Sequence, residues 1–323
     1  MGRATALAPR GDGARLMSQT RLDDYPLDRV AQGFLWGHLA LIAFATAAMV
    51  TILAGEFPVW MQGPYTAKVY ALGWKYSGQV YILLGTAAVL LHSAPRFGWG
   101  KALALFVVAS GVALLSELGG TNIGFPFGPY HYTEMLGYRI AGDVPYPIPI
   151  SWYYMLYCCL VFCARLMTTD DSSATKWRWA LVAGAFLTAW DVPMEVQMTN
   201  VQPPHWVWEL ENFAAWVPTF LKAPIFYGMP LSNWVGWYIT GVVVSRLMLM
   251  LVPPTKWKET TALTAFPLIL YATNGIMPIA TVARHGYWWA VVFGVLAMGA
   301  PLWLVLRARK RAGAALGANP ATA

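Results

Sequence analysis

Charge is scarce in this sequence: Asp, Glu, Lys and Arg make up 11% of its 323 residues, while hydrophobic residues make up 58%. A soluble domain carries roughly a quarter charged residues, so the composition excludes a soluble globular protein and assigns an integral membrane protein. Cysteine is nearly absent. Cys158, Cys159 and Cys163 share one apolar run with no CxxC spacing and no matching His/Cys pair elsewhere, which argues for packing over metal or redox work. The five histidines, His38, His92, His131, His205 and His285, are too scattered for the multi-His iron cluster of a membrane di-iron oxygenase, and no dinucleotide fingerprint is present. Residues 1–33 lack an apolar core followed by a cleavage site, so they read as a cytoplasmic tail and not a signal peptide.

What the chain does have is long apolar runs. Eight reach the length a helix needs to cross hydrocarbon, near 34–54, 69–92, 102–118, 150–167, 178–198, 231–252, 262–283 and 287–307. The fifth and seventh are the least apolar, which keeps a seven-span count open. The expected architecture is all-α: one polytopic membrane bundle over 34–307, motif loops at 119–149 and 199–230, and a second tail at 308–323. With the N-terminus inside, only Lys68, Arg139, Lys222 and Arg284, plus Lys75 within a span, fall away from the inner side among 22 basic residues. That asymmetry fits an N-in, C-in topology. It also accounts for the net charge of +7 through anionic lipid, with no nucleic-acid partner.

Carboxyls within apolar runs are costly and mark sites by default. Glu117 closes the third span in "LLSELGG", and Asp191 and Glu195 lie in "TAWDVPMEV" near the outer end of the fifth. Four residues apart, the last two share a helical face. A purely structural role would pair them with backbone or with Lys75, about two turns into the second span. Asn274, Ser232 and Asn233 fall at the same level. In "HWVWELENFAAW", His205, Glu209, Asn212 and Trp216 recur at helical spacing, which predicts an interfacial helix anchored by tryptophans.

Just past Glu117 comes "GFPFGPYHYT", residues 124–133. Its prolines and glycines break any helix, and its rings are ill suited to water. Irregular backbone at membrane depth survives where protein covers it, so a re-entrant or capping loop is expected, with Tyr130, His131 and Tyr132 facing inward. For His131 a backbone-bonded loop histidine and a catalytic group are both open.

From about 115 to 245 the sequence resembles the CruF-type carotenoid hydratase family. The resemblance rests on "GTNIGFPFGPYHYTEMLGYRI", "VPYPIPISWYYM", "WDVPME" and "YGMPLSNWVGW", in that order and spacing. It implies an enzyme of carotenoid biosynthesis that adds water across the carbon 1–carbon 2 double bond of an acyclic carotenoid end group such as that of lycopene or gamma-carotene. It further implies a carotenoid taken from the bilayer as substrate and no cofactor, and it leaves open whether a carotenoid glycosyl transferase is a partner. A bacterial inner membrane is the expected location.

Such chemistry requires an acid, a shelter for a tertiary cation and a water. Glu117, Asp191 and Glu195 are the candidate acids, with His131, Asn233 or a second carboxylate to orient the water. Tyr130, Tyr132, Trp190 and Trp237 are candidates to face the cation. Phe125 and Phe127 join the tyrosines in wrapping the terminal isoprene unit. Two other readings stand beside this one. "DVPME" is a single acidic pair, whereas a Mg-diphosphate prenyl transferase uses two Asp-rich motifs, and a non-enzymatic lipid binder or transporter would share the buried acids.

Overall fold

The computed structural model describes residues 25–52, 59, 62–262 and 264–317. Glu56, the end of the first expected span, most of the first expected tail and residues 318–323 of the second lie outside the described residues. Among the described residues there are eight long helices: α1 (Pro26–Ala47, running on into a π-helical turn, Ala48–Ile52), α2 (Pro64–Phe97), α3 (Trp99–Ile123), α4 (Pro147–Leu166), α5 (Ser173–Asn200), α6 (Leu231–Leu251), α7 (Phe266–Arg284) and α8 (Trp288–Gly317). Their starts are written in the sequence. Proline occupies the first turn of α1, α2, α4 and α7, where the missing N–H costs nothing, and the Ser172 hydroxyl caps α5 by accepting from Thr175 N at 3.1 Å.

Seven of these helices are long and apolar enough to cross a membrane, which makes the chain an all-α polytopic bundle. The eighth expected span is α5. It is long enough at 28 residues, but its polar groups, Asp191, Glu195 and Gln197 among them, are buried inside the bundle and lower its apolar content. Helix α1 begins at Pro26, inside the stretch expected to be tail, because Asp28 is not a solvent-facing tail residue. Its carboxylate is gripped by both terminal nitrogens of Arg96, at 2.6 and 2.9 Å, and the pair is fully buried. That contact ties α1 to α2 at the end of the bundle far from Glu117.

Helix α4 forms the centre: every side chain from Ser151 to Ala164 is buried, as expected of a helix apolar all round. Cys158, Cys159 and Cys163 sit there as free, buried thiols. Helices α3 and α8 lie outside and expose Leu103, Val107 and Leu115, and Val292, Phe293 and Trp303. Helices α5 and α6 cross where small residues meet. A Cβ on Gly184 would stand 2.7 Å from Val242, and one on Gly241 would stand 3.2 Å from the Gly184 Cα, so side chains at either position would hold the helices apart.

Among the described residues six short strands pair two by two in the loops. The pair that matters is β1 (Tyr130–Tyr132) with β2 (Trp206–Trp208), antiparallel, with Tyr130 opposite Trp208 and Tyr132 opposite Trp206. The interfacial helix expected over "HWVWELENFAAW" does not form. Residues 206–208 are strand and Leu210–Asn212 a single 3-10 turn. The helical spacing there was coincidental; W-V-W alternates with the period of two that a strand uses.

Candidate functional site

The site lies where the loops close one end of the bundle. Strand alternation decides which side chains reach it. Tyr130 and Tyr132 point into the protein, and the residues opposite them, Trp208 and Trp206, share that face, with ring centroids 5.2 and 5.7 Å apart across the ribbon. His131, between the tyrosines, must then point outward. It is exposed, and its Nδ1 lies 2.6 Å from Glu209 Oε1. Hydrogen bonds from Asn212 and His131 hold the Glu209 carboxyl below the usual carboxylate range. The inward histidine expected from the sequence is therefore corrected: Y-H-Y is a strand, so its middle residue faces away from its neighbours.

The four inward rings each carry one hydrogen-bond donor, and these are shared between two carboxylates. Tyr130 and Tyr132 donate their hydroxyls to Glu117 Oε2, the second at 2.8 Å. Trp206 and Trp208 donate their indole N–H groups to Glu195 Oε1 at 3.1 and 2.8 Å. The ribbon thus clamps α3 to α5 through buried acids. Its approach depends on glycine. A Cβ on Gly120 would come within 2.7 Å of the Tyr130 ring, and one on Gly236 within 2.7 Å of Phe127. Ser232 fastens the same loop to α6, donating to the Phe127 carbonyl at 2.7 Å.

Asp191 stands beside Glu195 on α5, about two turns from the Gly184 crossing, and Asn233 lies about two turns back along α6 from Gly241. The crossing brings them together: Asn233 Nδ2 donates to Asp191 Oδ2 at 3.0 Å and lies 3.5 Å from Glu195 Oε2. Asp191 Oδ1 is buried with no hydrogen-bond partner among the described residues. Lys75 plays no part. It is exposed, with its ammonium over the Tyr76 ring.

Between these groups is a small cavity of about 50 Å³. Glu117, Glu195 and Asn233 reach it, and its walls include Phe127, Trp152, Trp190 and Trp237. Trp237 stacks on Trp152 with centroids 4.5 Å apart and meets Trp190 edge-on at 5.9 Å. Phe125, expected among the wrapping rings, is instead 56% exposed and does not line the cavity. Of the residues singled out from the sequence, Glu117, Asp191, Glu195, Phe127, Tyr130, Tyr132, Trp190, Asn233 and Trp237 converge here. His131 and Phe125 do not.

The sequence marked Asn274 at this level but missed Trp206, Trp208 and the Asn274 partners His38 and Tyr154. Trp206 and Trp208 had been assigned to anchoring, although W-V-W matches Y-H-Y in length and alternation. On the far wall Asn274 accepts from the Tyr154 hydroxyl at 3.2 Å and donates to His38 Nε2 at 3.1 Å, while His38 Nδ1 donates to the Tyr81 carbonyl at 2.6 Å. This chain of donors fixes the histidine tautomer and turns the Asn274 amide toward the cavity. No sequence spacing links residues 38, 154 and 274.

A family model described as a carotenoid biosynthesis protein matches residues 77–301, a stretch that holds both carboxylate clamps and Asn274. Bisanhydrobacterioruberin hydratase of Haloarcula japonica is 26% identical over 131 residues, a match that spans 41% of this chain and 39% of that protein. No solved structure matches.

Proposed function

Because the chain belongs to the carotenoid biosynthesis protein family, we propose that it is a hydro-lyase adding water across the carbon 1–carbon 2 double bond of an acyclic carotenoid end group, giving a 1-hydroxy carotenoid. The observation that carries this reading is the pair Glu117 and Glu195 on one aromatic cavity, each held by two ring donors. The hydratase name of the Haloarcula relative supports it.

The proton comes from the Asp191–Glu195 pair. Both acids face the single Asn233 amide, and a proton held between them would fill the place left by the donorless Asp191 Oδ1. Glu195, the member on the cavity wall, passes that proton to carbon 2. The π electrons form the new C–H bond and leave a tertiary cation at carbon 1. The faces of Trp190 and Trp237 shelter the cation, each desolvated contact contributing up to about 2 kcal/mol. Water's oxygen bonds to carbon 1 and releases a proton to the Glu117 carboxylate, which the two tyrosine hydroxyls hold in place. The proton returns to the Asp191–Glu195 pair through solvent. One water is added, no electron is gained or lost, and the step needs no oxidant.

We place the protein in the bacterial inner membrane with both termini inside, since Arg96, Lys101, Arg165, Lys176, Lys256 and Arg307 lie toward the end opposite the site. The test is expression in a host making lycopene or gamma-carotene. The expected product is heavier than its precursor by one water. An unchanged carotenoid pool with well-expressed protein would sink the reading.

A further inference from the structure

A second, larger hollow of about 380 Å³ opens between the outer halves of α1 and α2. Phe44, Ala48 and Met49 form one wall and Val69, Gly73 and Ser77 the other. It adjoins the acid cavity: Tyr81, Gln197, Met198 and Met277 line both. Small residues keep it open. A Cβ on Gly73 would meet nothing within 4 Å. Tyr65 and Val69, both in its lining, are 87% and 66% exposed, so the hollow gives onto the side of the bundle where lipid lies.

We propose that this groove is the binding site for the polyene body of the substrate, lying so that its end unit enters the acid cavity past Tyr81 and Met277. The proposal rests on the hydratase reading for the identity of its ligand. A rigid apolar rod cannot reach Glu117 through the polar loop end, and the groove supplies a route from the bilayer that ends at the carboxylates. Its lining suits a polyene and not a phospholipid. Among the described residues it contains no Lys or Arg to hold a phosphate, and Met49, Met135, Met198 and Met277 give soft, adaptable thioether contacts to a conjugated chain.

The test places the photoreactive residue p-benzoylphenylalanine at Ala48 in the full chain, in membranes loaded with lycopene, with the same residue at the lipid-facing Val107 as reference. The expected result is a carotenoid adduct at position 48 at least tenfold above that at 107, and its loss to the reference level in Gly73→Phe. Equal adduct yields at the two positions, a phospholipid adduct at 48, or a yield that Gly73→Phe leaves unchanged would each overturn the proposal. The readout does not require turnover. An adduct formed on a chain that never hydrates its ligand would refute the hydratase reading and leave the groove standing.

Discussion

Tyr130 and Trp208 face each other across a two-stranded ribbon with ring centroids 5.2 Å apart, and each donates to a different buried carboxylate, Glu117 for the tyrosine and Glu195 for the tryptophan. One pair of short strands thereby fixes two acids that belong to separate helices and lie 78 residues apart in the chain.

Removing the acids should separate their roles. Glu195→Gln and Glu117→Gln are each expected to lower hydration by at least about two orders of magnitude, the usual contribution of general acid–base catalysis. Asp191→Asn should also be severe, because it removes the group with which Glu195 shares its proton. His131→Ala, on the outer face of the ribbon, should stay near wild type. Product yield normalised to protein level measures all four, and full activity in both glutamine variants would refute the mechanism.

Removing a donor while keeping an aromatic side chain tests the clamp. Tyr132→Phe leaves Glu117 Oε2 with the Tyr130 hydroxyl alone, and should cost roughly 1–3 kcal/mol in stability as a buried oxygen loses a partner. Trp208→Phe does the same to Glu195, which keeps Trp206. Thermal unfolding in detergent reports the loss. If neither variant lowers the midpoint, the donors do not hold the acids.

The α5–α6 crossing sets the Asp191–Asn233 contact from a distance. Gly184→Val would push a side chain against Val242 and the Tyr238 carbonyl, where a Cβ already stands at 2.7 and 3.1 Å. Overpacking of this kind costs roughly 1–3 kcal/mol. Activity should fall much further than stability, since Asn233 is drawn away from both acids. An active Gly184→Val protein would mean that the amide need not sit between them.

Acid should destabilise the fold through His205. Burial pushes its imidazole down to about 4, below its unfolded value of roughly 6.5, so between these values the unfolded chain binds the proton that the folded chain refuses. Stability is then expected to fall as pH drops from about 6.5 to about 4 and to show no further loss from this group below that. His205→Gln should flatten the slope in that window. An unchanged slope would assign the acid sensitivity to other groups.

The helical skeleton was legible because bilayer thickness forces long apolar runs. The acids were legible because a carboxyl in such a run is costly enough to stand out. The ribbon was not. Tyr130–Tyr132 and Trp206–Trp208 are three residues each, too short for a periodic signal, and their partnership becomes visible only when a tertiary contact brings them together. The same holds for His38 and Asn274, whose pairing joins α1 to α7. His131 was misplaced for a related reason: without the strand, nothing in "GPYHYT" tells inward from outward.

The most direct test of the account is the origin of the new oxygen. Membranes containing the protein and lycopene, kept free of dioxygen in water enriched in heavy oxygen, should yield a 1-hydroxy product whose added oxygen carries the label. Product that forms only when dioxygen is supplied, with the oxygen unlabelled by the water, would contradict acid-catalysed hydration at Glu117, Asp191 and Glu195.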